Sequence, residues 1–183
     1  MNVSKIRLVA LFAVVVTFAV ELVTAGDVAH VKVTGLHLCC RGCCAAVEEA
    51  LNEIEGVNDI QVAMKAKTVE FTLPNDAALD GALKALHDAG FSGQATRCGR
   101  EIEFPGPKLE ADTQSTRVVF AGVHLCCAGC AKAVAKALES ETGVIAVDCK
   151  LKERTVTLIG KDLEPAVLLT ALNKAGFHGK LRK

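Results

Sequence analysis

A nine-residue block occurs twice. Gly35-Leu36-His37-Leu38-Cys39-Cys40-Arg41-Gly42-Cys43 returns as Gly122-Val123-His124-Leu125-Cys126-Cys127-Ala128-Gly129-Cys130, offset by 87. The same offset carries Val47 onto Val134, Ala50-Leu51 onto Ala137-Leu138, Gly56-Val57 onto Gly143-Val144 and Thr68-Val69 onto Thr155-Val156. After one deletion the offset is 86, and Ala89-Gly90-Phe91 meets Ala175-Gly176-Phe177. A tandem duplication of this extent restricts the chain to two copies of one small fold. With 183 residues, 51% hydrophobic and 23% charged, there is enough apolar material for two cores, and a disordered chain is excluded.

Each copy runs through the same periodicities. Val31 and Val33 alternate, as do Val118 and Phe120, so a strand comes first. Val47, Ala50, Leu51 and Ile54 then form one apolar stripe of a helix. Ile60 and Val62, a turn at Lys65-Ala66-Lys67, then Val69 and Phe71 read as a hairpin. Asn75 or Asp76 can cap a second helix carrying Leu79, Leu83 and Leu86 and stopping at Gly90; in the second copy Pro165 suits the first helical turn. Short strands near Gln94–Arg97 and Lys180–Arg182 close the copies. The order β-α-β-β-α-β predicts an α+β fold of two tandem domains, 27–98 and 116–183, each with helices on one face of an antiparallel sheet. Residues 99–115, with Pro105-Gly106-Pro107 and six charges, read as a semi-rigid linker.

The start of the chain reads as a cleaved signal peptide, residues 1–25. Lys5 and Arg7 precede the apolar run Leu8–Val20, and Val23-Thr24-Ala25 is a small-residue cleavage site. The run is short for a spanning helix, and an uncleaved anchor is the alternative. The mature protein is expected in the periplasm or secreted, where conditions oxidise thiols. Net charge is zero and Trp and Tyr are lacking, so neither a basic patch nor a stacking platform suggests nucleic acid. The zero hides an asymmetry: residues 27–98 hold six Lys/Arg against ten Asp/Glu, and residues 116–183 hold eleven against six. Glu48, Glu49, Glu53 and Glu55 follow the first cysteines, and Lys132 and Lys136 the second. The bland reading is two solvated surfaces that have drifted. The alternative is that the cysteine faces dock on each other or serve different partners.

Seven of the nine cysteines fall in the two repeated clusters. In Cys40/Cys43 and Cys127/Cys130, a C-x-x-C at a helix start aims two sulfurs at one point. The free N–H groups there favour thiolate over thiol. Paired thiolates select soft ions and fall short of the four ligands of structural zinc.

These residues carry a resemblance. Each half resembles the heavy-metal-associated domain, the ferredoxin-like module of copper chaperones, copper-pump N-terminal domains and the periplasmic mercury-binding protein. That family places M-x-C-x-x-C between its first strand and first helix, followed by Val and Ala-Leu. Here Val47 and Ala50-Leu51, and Val134 and Ala137-Leu138, hold those places. Gly56-Val57 and Gly143-Val144 match its hairpin start, and Gly90-Phe91 and Gly176-Phe177 its Gly-aromatic pair. The resemblance implies Cys40, Cys43, Cys127 and Cys130 as ligands, with Phe91 and Phe177 near the site. Together with the signal peptide it implies an exported carrier or scavenger that binds one soft ion per domain, Cu(I) first and Hg(II) or another thiophilic ion second, with Ag(I) and Zn(II) also in the set. A metal-transporting membrane protein or a second metal-binding domain would be the partner.

The departures are shared by both copies. Leu38 and Leu125 replace the methionine and are expected in the core. Cys39 and Cys126 are either extra ligands or small fillers pointing away; His37 and His124 are either ligands or solvated loop residues. Cys44 is expected on the helix surface or in packing, Cys149 as a buried small hydrophobe, Cys98 as free or oxidised, and His178 at the surface. No acid–base pair or phosphate loop stands out, so the chain is not read as an enzyme. The competing function is thiol–disulfide exchange by the same C-x-x-C pairs. A module with structural or vestigial metal sites is a third reading, and an iron–sulfur site is weaker still because the second copy lacks a fourth clustered thiol.

Overall fold

The computed structural model describes residues 28–75, 77–104, 109 and 113–182. The expected signal peptide and Pro105-Gly106-Pro107 lie outside the described residues. Among those described, no helix is long and apolar enough to cross a membrane.

The first domain comprises β1 (Ala29–Thr34), α1 (Arg41–Asn52), β2 (Asn58–Ala63), β3 (Thr68–Leu73), α2 (Ala77–Asp88), β4 (Gln94–Arg97) and β5 (Arg100–Ile102). The second comprises β6 (Ser115–Ala121), α3 (Ala128–Leu138), β7 (Val144–Lys150), β8 (Thr155–Leu163), α4 (Pro165–Lys174) and β9 (Lys180–Leu181). The sheets have the orders β2-β3-β1-β4-β5 and β7-β8-β6-β9, with antiparallel neighbours. Both copies therefore fold as the βαββαβ unit.

Alternation along the central strands decides what is buried. Val31, Val33, Val69 and Phe71 face inward in one domain, Val118, Phe120, Val156 and Leu158 in the other, all 2% exposed or less. Val47 and Leu51 of α1, Leu83 and Leu86 of α2, and their counterparts Val134, Leu138, Leu168 and Leu172 cover these faces. Each such side chain contributes about 1.5–3 kcal/mol through burial. Leu38 and Leu125 join the core as expected. The inward positions of β2 and β7 are less sheltered: Ile60, Val62 and Cys149 are only half-buried, because both strands lie at sheet edges. The expectation of a buried Cys149 is corrected accordingly.

The boundary expected at residue 99 also moves. β5 occupies the first part of the segment read as linker, and Ser115 already belongs to β6. Cys98 and Gly99 both have positive φ, 47° and 78°, as a tight hairpin turn requires. Three residues of strand are too few to leave a period-two signal, and Cys-Gly is a weak turn signal.

The domains meet about a pseudo-twofold axis. Phe91 and Phe177 form an isolated antiparallel bridge. The His178 N–H donates to the Gly90 carbonyl at 2.9 Å, and the Ser92 N–H to the Gly176 carbonyl at 3.3 Å. Each glycine presses on the opposite domain. A Cβ on Gly90 would stand 2.3 Å from the His124 backbone nitrogen, and one on Gly176 would stand 2.5 Å from that of His37. Their φ values, +93° and +87°, also favour glycine. The Gly90→Ala/Gly176→Ala variant is therefore expected to part the domains while leaving both sheets folded. Each change adds about 1–2 kcal/mol of local backbone strain. Small-angle scattering should show a larger radius of gyration with an unaltered far-ultraviolet circular dichroism spectrum.

Candidate metal centre

The C-x-x-C pairs lie where β1 meets α1 and β6 meets α3. Cys40 and Cys127 immediately precede the helices in the same extended conformation, φ −156° and ψ 171°. Cys43 and Cys130 sit one turn in and are fully buried. Pair separations are 3.7 Å for Cys40···Cys43 and 3.8 Å for Cys127···Cys130.

The axis brings the two pairs face to face, and Cys39 and Cys126 enter the space between them. Cys126 Sγ lies 3.6 Å from both Cys40 and Cys43. Cys39 Sγ lies 3.8 Å from Cys127 and 3.6 Å from Cys130. Each is also near the buried cysteine of its own domain, Cys39···Cys43 at 3.7 Å and Cys126···Cys130 at 3.5 Å. Six sulfurs thus form one contiguous group, and the filler reading of Cys39 and Cys126 is corrected: their sulfurs point into the group. The opposite domain supplies two of the three sulfurs that each of them meets.

Each thiol's acidity follows its surroundings. The Cys43 backbone N–H holds the Cys40 thiol below its ordinary range, with help from the Cys126 thiol. The Cys130 backbone N–H is the main cause that brings Cys127 down to about 7. Desolvation and the adjoining thiols push Cys39 and Cys126 up, and desolvation raises Cys130. Cys40 and Cys127 therefore shed their protons before Cys39, Cys126 and Cys130.

The histidines are not free loop residues, which corrects that expectation: His124 is buried and His37 half-buried. The His37 ring stacks on Phe177 and the His124 ring on Phe91, each across the interface, with centroids 4.3 Å apart. His124 is 7% exposed, and burial, with smaller contributions from Arg154 and His37, lowers its pKa to about 4. Nε2 of each ring is buried without a hydrogen-bond partner among the described residues. One nitrogen of His124 lies within 4.8 Å of the Cys43, Cys126 and Cys130 sulfurs, and one of His37 within that distance of Cys39 and Cys130. A cleft of about 690 Å³ passes Glu49, Glu53 and Asp88 and reaches Cys126 and His124.

His178 belongs neither to the surface nor to the thiol group. Its ring lies parallel to His87 at 3.7 Å, and Phe104 stacks on the other histidine at 4.4 Å. Three interface contributors carried no readable sequence signal. Arg154, at the turn equivalent to Lys67, donates from Nη2 to the carbonyls of Ala89 (2.6 Å) and Gly122 (3.0 Å). His87 stacks between the domains, and Lys180 pairs with Asp88 at 2.8 Å. The remaining cysteines stand apart: Cys44 is half-buried against the core, Cys149 approaches the Ala131 carbonyl at 3.7 Å, and Cys98 is exposed in its turn.

The sequence model of the heavy-metal-associated domain matches residues 31–92 and 120–178. Human copper-transporting ATPase 2 is 24% identical over 171 residues, 83% of this chain and 11% of that protein. Heavy metal-associated isoprenylated plant protein 35 of Arabidopsis thaliana is 46% identical over 54 residues, 30% of this chain and 15% of that one. The chain thus spans a small fraction of either relative's length. Among solved structures, oxidised MerP from Ralstonia metallidurans is 22% identical and covers 37% of this chain and 96% of its own, with a TM-score of 0.35. The N-terminal soluble domains of Bacillus subtilis CopA are 19% identical and cover 84% and 92%, with a TM-score of 0.31.

The histidine stack makes the folded state acid-sensitive. Burial and Lys180 bring His178 down to about 4 from 6.5, opposed by Asp88. Because the folded value is the lower one, the unfolded chain takes up this proton first. The stabilisation is complete above about pH 6.5 and is lost as pH falls toward 4. Thermal melts between pH 7 and 4 should show this loss, and His178→Gln should reduce the slope across that window, with buried His124 supplying part of what remains.

Proposed function

Because the chain belongs to the heavy-metal-associated domain family, we propose that it is an exported carrier or scavenger of a soft metal ion. Cu(I) is the first choice of cargo, with Hg(II) or another thiophilic ion second. The observation that carries the reading is the paired thiols at two helix starts, Cys40/Cys43 and Cys127/Cys130, with the first thiol of each pair made acidic by backbone N–H groups. The ligand set is all sulfur, and thiolates favour Cu(I) over hard cations. The basic and apolar start of the chain supports export.

Transfer would proceed by ligand exchange. A partner thiolate bonds to the ion as the bond to one resident sulfur breaks, so the ion is never released to water and its oxidation state is unchanged. The partner that fits is a metal-transporting membrane protein or another domain with exposed paired thiols.

Cys127 at about 7 is also an acidity that thiol–disulfide exchange uses, so redox function is the second reading. The two are separated by insulin reduction, at which a carrier shows no activity. For the carrier, anaerobic titration of reduced protein followed by native mass spectrometry should find about two Cu(I) per chain, one for each helix-start thiolate pair. The Cys40→Ser/Cys43→Ser/Cys127→Ser/Cys130→Ser variant should bind none, and unchanged stoichiometry would overturn the assignment.

A further inference from the structure

Resting on the metal-binding reading, we propose that the two domains hold their ions jointly, in crossed three-sulfur sites. Cys126 completes a site with Cys40 and Cys43 of the other domain, and Cys39 completes its twin with Cys127 and Cys130.

The contacts distinguish crossed sites from sites within a domain. Cys40, Cys43 and Cys126 are mutually in contact, with sides of 3.7, 3.6 and 3.6 Å. Cys39, Cys127 and Cys130 repeat the triangle with sides of 3.8, 3.8 and 3.6 Å. Within a domain, Cys39 is in contact with Cys43 and Cys126 with Cys130, while the third side of the first triad, Cys39···Cys40, exceeds contact distance at up to 4.8 Å, so the crossed triangles are the more compact ones. Metal–sulfur bonds of about 2.3 Å put sulfurs about 4.0 Å apart in a trigonal site and about 4.6 Å apart in a linear one. The observed triangles need to open by a few tenths of an ångström for trigonal binding. Linear binding would require each pair to spread and the third sulfur to leave.

The glycine of each motif borders the crossing thiol. A Cβ on Gly42 would lie 3.6 Å from Cys40 Sγ and 4.0 Å from the incoming Cys126 Sγ. One on Gly129 would lie 3.4 Å from Cys127 Sγ and 3.9 Å from Cys39 Sγ. The residue before the second cysteine thus lies beside the thiol that enters from the other domain, at ordinary van der Waals distance. Over the group sits His124, buried and with its Nε2 unpartnered, a polar atom aimed where the described residues offer it no partner.

Loading a crossed site releases the thiol protons to solvent and forms three sulfur–metal bonds, two from one domain and one from the other. The ions then act as clasps. A partner's thiolate replaces Cys126 or Cys39 as that residue's bond to the ion breaks, and the ion stays three-coordinate while the domains come apart.

The test is X-ray absorption spectroscopy of the full chain loaded anaerobically with two equivalents of Cu(I). The expected result is three sulfurs per copper, falling to two in Cys39→Ser/Cys126→Ser. The Gly90→Ala/Gly176→Ala variant keeps all six thiols and parts the domains, so it should also show two, which separates crossing from any folding defect in the serine variant. Two sulfurs per copper in the unaltered chain, three retained in either variant, or four coppers bound per chain would overturn the crossed sites and leave the metal-binding reading standing. Absence of copper from the unaltered, reduced chain would overturn that reading itself.

Discussion

Gly90 and Gly176 meet the opposing backbone so closely that no side chain could stand between them, and this contact fixes how the halves sit. The bridge at Phe91 and Phe177 follows from it, as do the Phe–His stacks that flank the bridge. A duplicated sequence lends itself to such an arrangement, because a twofold contact lets each residue be used once on either side. The near-equality of equivalent distances, such as Cys39···Cys130 and Cys43···Cys126 at 3.6 Å, reflects that symmetry.

Gathering six thiols has an electrostatic consequence. Were they all ionised, they would repel one another at contact distance in a partly desolvated place, and the upward shifts of Cys39 and Cys126 express that cost. A thiophilic cation between them removes the cost and replaces the protons. The helix starts point the same way, since their free N–H groups favour sulfur anions at Cys40 and Cys127. The geometry suits a cargo that can be exchanged: Cys39 and Cys126 are exposed, whereas Cys43 and Cys130 are sealed in the cores.

Complementary charge contributes to docking, though through residues other than those that first suggested it. Among the described residues, the ion pair across the interface is Lys180 with Asp88, and Arg154 donates to carbonyls instead of carboxylates. Glu49 and Glu53 line the cleft that leads to Cys126, where they place negative charge along an approach to the thiols.

The duplication, the order of strands and helices, the core positions and the pairing of Cys40 with Cys43 and Cys127 with Cys130 were legible in the sequence. Periodicity and local spacing specify them within a few turns of chain. The strand β5 after the Cys98-Gly99 turn was not, because three residues carry no period. Nor could sequence decide between the two readings of Cys39, Cys126, His37 and His124. Within one domain Cys39 and Cys126 each meet a single sulfur, Cys43 or Cys130, and the histidine rings lack the aromatic faces they stack on. The opposite domain provides the stacking rings, the neighbouring sulfurs and the glycine contact that turn these residues into parts of an interface. Local chemistry was written in each copy, and the joining of two copies into one site came from contacts between residues more than eighty positions apart.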